Sequence, residues 1–182
     1  GADLCVQSVH KTLPSLTQTA WLHWKSKLVS EREVGRRLAV FESSSPSYPL
    51  LLSLDSCTEL LLSRGEELFS HWGSCLADFE RELAGLQNFS ILKGRRGGHF
   101  FDRDPGKLLL HCKEREMSGA ALSEALRERF SIETEMSLGR NCLAMTSPLD
   151  PEEAYRRLFD AMKTLDRELS LRERNIAPPF LK

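Results

Sequence analysis

The chain has 182 residues, 41% of them hydrophobic and 28% charged, with a formal net charge of −1. That size suits one large domain or two small ones, and the apolar share supports a sizeable core. Near-neutrality gives no overall pull toward nucleic acid or an anionic membrane, and apolar runs such as 50–52 and 60–62 fall far short of the ~20 residues that a membrane span needs.

Residues 3–9 read as an apolar strand with Leu4 and Val6 on one side. A chain that opens at Gly1 inside such a strand, with no signal-peptide pattern, reads as a fragment of a longer polypeptide. His10-Lys11-Thr12-Leu13-Pro14 is a polar turn, and Thr19 to Trp24 has the aromatic content of a second strand. A short helix is predicted over 31–41, with Val34, Leu38 and Phe41 on one face. Ser43-Ser44-Ser45-Pro46-Ser47-Tyr48-Pro49 is a loop by composition. Two helices follow, one from Pro49 to Arg64 that Gly65 stops, the other from Glu66 to about Leu86.

Beyond Asn88 the pattern changes to β-(β)-α-β-β-α. Phe89 to Lys93 is a short apolar segment, 94–98 a turn, and Lys107 to Cys112 a buried strand. Ser118 caps a helix whose inner face carries Leu122, Leu126 and Phe130. Ile132 to Met136 alternates like a half-exposed strand, and Cys142 to Thr146 reads as a buried one. Asp150-Pro151-Glu152-Glu153 opens a last helix whose apolar stripe runs to Leu169. The charged and proline-containing stretch 171–182 reads as a tail or linker. The expected class is α/β. Residues 1–48 end a large domain, 49–88 connect, and 89–170 form a small α+β domain.

Five cysteines, odd in number and widely spaced without Cys-x-x-Cys, point to reduced and mostly buried thiols in a cytoplasmic protein. The five histidines show no metal-ligand spacing. Gly94-Arg95-Arg96-Gly97-Gly98 lacks the ending of a phosphate loop. Asp102 and Asp104 could face a basic substrate or simply sit in a solvated turn.

Ser8-Val9-His10-Lys11 is the segment with chemical content. A lysine at the end of an apolar strand can present its amine to a carbonyl cofactor, because a deprotonated ε-amine is a good nucleophile. The flanking serine and histidine can hydrogen-bond a phosphate. On spacing alone, an ordinary exposed lysine fits as well.

The surroundings carry more. Ser8-x-His10-Lys11, then Leu13, then Leu16-Thr17-Gln18 closely resembles the cofactor-lysine segment of the ornithine/lysine/arginine decarboxylase family, which has the aspartate-aminotransferase fold. Ser43 to Leu50, running into Leu52-Ser53-Leu54-Asp55, is similar to that family's Ser-Pro-x-Tyr segment. Asp104-Pro105-Gly106-Lys107-Leu108 and Ser118-Gly119 resemble parts of its small domain, so the likeness extends to about residue 170.

The resemblance implies pyridoxal 5'-phosphate as cofactor, carried by Lys11, with Ser8 and His10 at its phosphate. Ser44 and Ser45 would reach the phosphate edge or site mouth of a neighbouring subunit in a homodimer or larger homo-oligomer, or would be a plain polar loop. The implied reaction removes carbon dioxide from arginine, lysine or ornithine and leaves the polyamine precursor, with Lys11 or His10 returning the proton. Arginine is favoured because the compact pattern resembles the shorter biosynthetic members. No nucleic-acid or membrane partner is implied. The family's pyridine-pairing aspartate, stacking aromatic and phosphate-cradling turn precede the lysine segment, so these residues alone are expected to be inactive. Two other readings stay open: a different reaction of the same cofactor, such as an aminotransferase or lyase, and a catalytically dead structural or dimerisation relative.

Overall fold

The computed structural model describes residues 2–93, 102–113 and 117–176. They form two compact units, 1–68 and 69–182. In the first, β1 (Leu4–Ser8) pairs antiparallel with β2 (Ala20–Trp24), Leu4 opposite Trp24 and Ser8 opposite Ala20. Between them the expected turn is a single helical turn, α1 (Val9–Thr12), closed by Leu13 N–H donating to Val9 O at 2.9 Å. Among the described residues the sheet has these two strands, and Leu4 and Val6, expected in a core, are exposed. The buried hydrophobic residues described in this unit are instead Val9, Leu13 and Cys57, with Trp21, Leu54 and Leu61 packed around them.

Helix α2 (Glu31–Phe41) is capped by Ser30, whose hydroxyl accepts from Glu33 N. The apolar face expected at Val34, Leu38 and Phe41 has no buried residue; Phe41 is 87% exposed. The two helices expected on either side of Gly65 are one, α3 (Tyr48–Leu83). Gly65 keeps ordinary helical space, a Cβ there meeting only Leu61 at 3.9 Å. A mid-helix glycine costs about 1 kcal/mol, too little to break a stripe that continues on both sides. The Arg64–Glu67 pair, with bonds of 2.8 and 3.0 Å, spans the position.

The second unit holds a four-stranded antiparallel sheet in the order β3 (Phe89–Ile91), β4 (Lys107–Cys112), β6 (Asn141–Met145), β5 (Met136–Leu138). Its core joins Phe79 and Leu83 from α3, Leu108 and Leu110 from β4, Leu122 and Leu126 from α4 (Gly119–Phe130), and Met162 and Leu165 from α5 (Glu152–Ile176). The alternating strands and the helical stripes of the sequence supply these positions, and the expected β-(β)-α-β-β-α order is observed as β3-β4-α4-β5-β6-α5. Ser118 caps α4 through its hydroxyl, which accepts from Ala121 N at 3.1 Å.

Two boundaries differ for visible reasons. Ser131 adopts a left-handed conformation (φ 54°), and Ile132 N–H donates back to Leu126 O at 3.0 Å. This end structure takes Ile132 to seal α4 against the core, so the strand starts only at Met136. At the other end, α5 runs to Ile176 rather than stopping at Leu169. Asn88 secures that extension: its backbone N–H donates to Asp166 Oδ1 at 2.7 Å, and its Nδ2 donates to Asp166 O and Ser170 Oγ, both at 3.0 Å. Asp150 does not cap α5 directly; its carboxylate accepts from Ser147 N at 2.7 Å. The turn 94–98 lies outside the described residues. Asp104 is a turn residue, accepting from Gly106 N at 2.9 Å and Lys107 Nζ at 2.6 Å.

All five cysteines are free and four are buried, as their spacing suggested. Burial pushes the Cys57, Cys75 and Cys142 thiols up, and that of Cys112 up to about 11.

Glu80 on α3 is largely buried and pairs with Arg103 and with Lys93 Nζ (2.5 Å). Burial alone would raise its carboxyl; the two cations outweigh it and hold it below the ordinary 4.5. A carboxylate with a depressed folded pKa stabilises the fold at neutral pH, and that stability is lost as pH falls through the folded pKa. Urea midpoints should therefore drop below pH 4.5. Glu80→Gln should flatten part of that slope while lowering the neutral-pH midpoint. Asp104 and Glu168, also depressed by their cations, retain the remainder.

Candidate active site

The segment 8–19 is held by its own backbone and by α3. Ser8 ends β1 and stands at the start of α1, and its side chain makes no capping bond. Val9, next along, is fully buried, and Lys11, two residues on, is exposed. One helical turn therefore anchors the chain through Val9 and Leu13 and turns Lys11 toward solvent.

His10 is half-buried, and its Nδ1 lies 2.8 Å from Thr19 O. A carbonyl oxygen only accepts, so Nδ1 carries the proton. In the neutral ring Nε2 is then the acceptor, and it has no hydrogen bond among the described residues. The same carbonyl takes Val9 N–H at 3.2 Å, which ties the entry of α1 to the entry of β2.

Thr19 is itself buried, and its Oγ1 lies 2.8 Å from Ser15 Oγ and 2.7 Å from Leu16 O. Ser15 Oγ meets Ser53 Oγ on α3 at 3.0 Å, and Leu16 N–H donates to the same Ser53 oxygen at 3.2 Å. Ser53 Oγ spends its proton on Leu50 O at 2.9 Å, so Ser15 donates to Ser53. The result is a network of hydroxyls that links Thr19, just before β2, to Ser53 on α3. Gln18, beside it, is held at φ 79°, a left-handed conformation that few non-glycine residues adopt.

Of the residues singled out by sequence, Ser8, His10 and Lys11 come together on one strand-to-helix turn. Ser44 and Ser45 lie in the exposed loop 42–47 between α2 and α3, and no described hydrogen bond joins them to that turn. Thr19, Ser15 and Ser53 were not legible as site residues. Their connection spans up to 38 positions and is made through space.

A primary amine, a hydroxyl and an imidazole within four consecutive residues form a donor set that suits a phosphate-bearing aldehyde. No group of three or more metal-binding side chains occurs among the described residues. A concavity of about 440 Å³ lies in the other unit and includes His71, Cys75, Asp78, Glu152 and Tyr155. Cys75 Sγ is 3.6 Å from His71 Nε2, but burial, with Glu152 and Asp78 adding to it, raises the thiol and disfavours a nucleophilic thiolate. No helix among the described residues is long and apolar enough to cross a membrane.

The architecture is that of known decarboxylase chains. It superposes on a lysine decarboxylase of Francisella novicida with a TM-score of 0.74 at 19% identity, covering 89% of this chain and 27% of that one. The constitutive lysine decarboxylase of E. coli gives 0.72 at 21% identity, covering 92% and 29%. The model of the Orn/Lys/Arg decarboxylase major domain matches residues 2–96, and the chain belongs to that family. An arginine decarboxylase of Bacillus subtilis is 30% identical over 174 residues, 93% of this chain and 35% of that protein. One of Halalkalibacterium halodurans is 30% identical over 167 residues, 91% of this chain and 34% of that protein. The chain thus spans about a third of the length of these relatives.

Proposed function

We propose that the full-length polypeptide containing these residues is a pyridoxal 5'-phosphate-dependent decarboxylase of a basic amino acid. Arginine is the favoured substrate over lysine and ornithine, and the product is the corresponding amine, a polyamine precursor. One observation carries the reading: Ser8, His10 and Lys11, which match the family's cofactor segment, stand on a turn whose buried Val9 leaves the lysine exposed.

When bound, pyridoxal phosphate supplies the electron sink for the pair left behind as carbon dioxide departs. Lys11 offers its primary amine as the attachment point and yields that place to the substrate amine. Ser8, whose hydroxyl is not spent on capping α1, donates toward the phosphate. His10 contributes Nε2, as a donor when the ring is charged and as an acceptor when it is neutral. Ser44 and Ser45 reach the phosphate edge from a second subunit. Support for that comes from the exposed apolar residues flanking their loop, Val40 and Phe41 on one side and Tyr48 and Leu52 on the other. The free thiols suit a cytoplasmic protein, and in this reading it works as a homodimer or larger homo-oligomer. The 182 residues by themselves, matching only about a third of the relatives' length, are inactive in this reading.

The test is product analysis. The full-length polypeptide, loaded with pyridoxal phosphate and given arginine, lysine and ornithine in turn, should release carbon dioxide and the matching amine in equal amounts, fastest from arginine. A keto acid in place of carbon dioxide would put an aminotransferase ahead.

A further inference from the structure

His10 Nδ1 meets the carbonyl of Thr19, a residue whose side chain is linked through Ser15 to Ser53 on α3. Three facts bear on what that linkage does. Thr19 O accepts both His10 Nδ1–H and Val9 N–H, so one peptide group sets the ring and the backbone on either side of the Ser8–Lys11 turn. Thr19 is 3% exposed, so its side chain cannot exchange its partners for water without opening the loop. Ser53 Oγ has its proton directed to Leu50 O, which leaves it a pure acceptor for Ser15 O–H and Leu16 N–H.

We propose that Ser53 is a positioning residue for the Ser8–Lys11 turn, acting through Ser15 and Thr19 to hold the His10 ring by its Nδ1–H and leave Nε2 for the cofactor phosphate. This rests on the functional reading above. None of the three hydroxyls need touch the cofactor or substrate. Their contribution is to fix the Thr19 carbonyl against the imidazole. Without Ser53 Oγ, Ser15 O–H and Leu16 N–H lose a shared acceptor, and the loop 13–19 keeps its apolar contact with α3 through Leu13 but loses these hydrogen bonds to it. His10 can then rotate off the Thr19 carbonyl, and Nε2 is no longer held in place toward the cofactor phosphate.

The experiment is a double-mutant cycle in the full-length polypeptide. It measures pyridoxal phosphate affinity by titration, kcat and KM by product release, and the melting midpoint. Ser53→Ala and Ser15→Ala should each lower cofactor affinity and kcat by about three- to tenfold, the size of one lost hydrogen bond, with KM little changed. Ser53→Thr, which keeps the hydroxyl, should restore both. In a His10→Ala background, Ser53→Ala should bring no further loss, because the group it positions is gone. An equal loss in both backgrounds, or no loss in either while Lys11 remains essential, would overturn the proposal. Full activity and cofactor binding in Lys11→Ala would instead remove the functional reading beneath it.

Discussion

Replacing Lys11 with alanine is expected to cut decarboxylation by the full-length polypeptide by about 10³-fold or more, since a covalently acting side chain has no substitute in the site. The fold should not change. Lys11 is exposed, whereas Val9, Leu13 and Cys57 form the buried cluster beneath it. The melting midpoint of Lys11→Ala should therefore stay at the parent value while turnover is lost. Val9→Ala should do the opposite to stability: truncating a fully buried aliphatic side chain at the centre of a small cluster costs about 1–3 kcal/mol. Lys11→Arg should fail as Lys11→Ala does, because a guanidinium keeps its proton and cannot attack a carbonyl. A structural or dimerisation relative that had lost catalysis would show no functional change in any of the Lys11 variants.

The second large effect is expected in the other unit. Gly119 begins α4, where its N–H donates to Gly139 O at 2.8 Å and Ser118 caps the helix. A Cβ on residue 119 would fall onto the backbone of Asn141, at the start of β6. Backbone in an interior strand cannot move aside as the end of a flexible side chain can. Asn141 is further fixed by His111 Nδ1–H, which donates to its Oδ1 at 2.8 Å across the sheet. Gly119→Ala should therefore force α4 off the sheet at a cost of about 3 kcal/mol. In a chain of this length that lowers the melting midpoint by about 6–12 °C. Gly35→Ala is the control: nothing lies within 4 Å of a Cβ there, and a mid-helix alanine should be neutral or stabilising by up to about 1 kcal/mol.

The parts of the fold that were legible in the sequence are those written in local periodicity. The strands β4 and β6 and the stripes of α4 and α5 follow from their alternation and helical spacing, and Ser118 announced the α4 cap. What failed depended on contacts beyond the local window. Gly65 looked like a helix stop, but the apolar residues on either side and the Arg64–Glu67 pair carry α3 through it. Ile132 looked like a strand residue, but the left-handed Ser131 recruits it to close α4. Nothing near Leu169 showed that Asn88, distant in sequence, would hold the helix open to Ile176. Leu4 and Val6 have a core strand's composition and yet are exposed, because composition does not say what lies against a strand.

The candidate site divides in the same way. Ser8, His10 and Lys11 are neighbours in sequence, so their motif could be read directly. The hydroxyl chain behind them could not, since Thr19 sits in a segment that reads as strand and Ser53 in one that reads as an ordinary helix. Only the folded loop 13–19 brings them together. The contact that holds His10 Nδ1–H and leaves Nε2 for another partner comes from that same loop through Thr19 O.

Lys11 is expected to hold pyridoxal phosphate. The most direct measurement is borohydride reduction of the full-length polypeptide loaded with pyridoxal phosphate, which fixes the cofactor to whichever lysine holds its aldehyde carbon. Digestion and peptide mapping then locate the label. A single pyridoxyl group on Lys11, absent from Lys11→Ala, is the predicted result. Label spread over Lys25, Lys27 and other lysines, unchanged by Lys11→Ala, would contradict it.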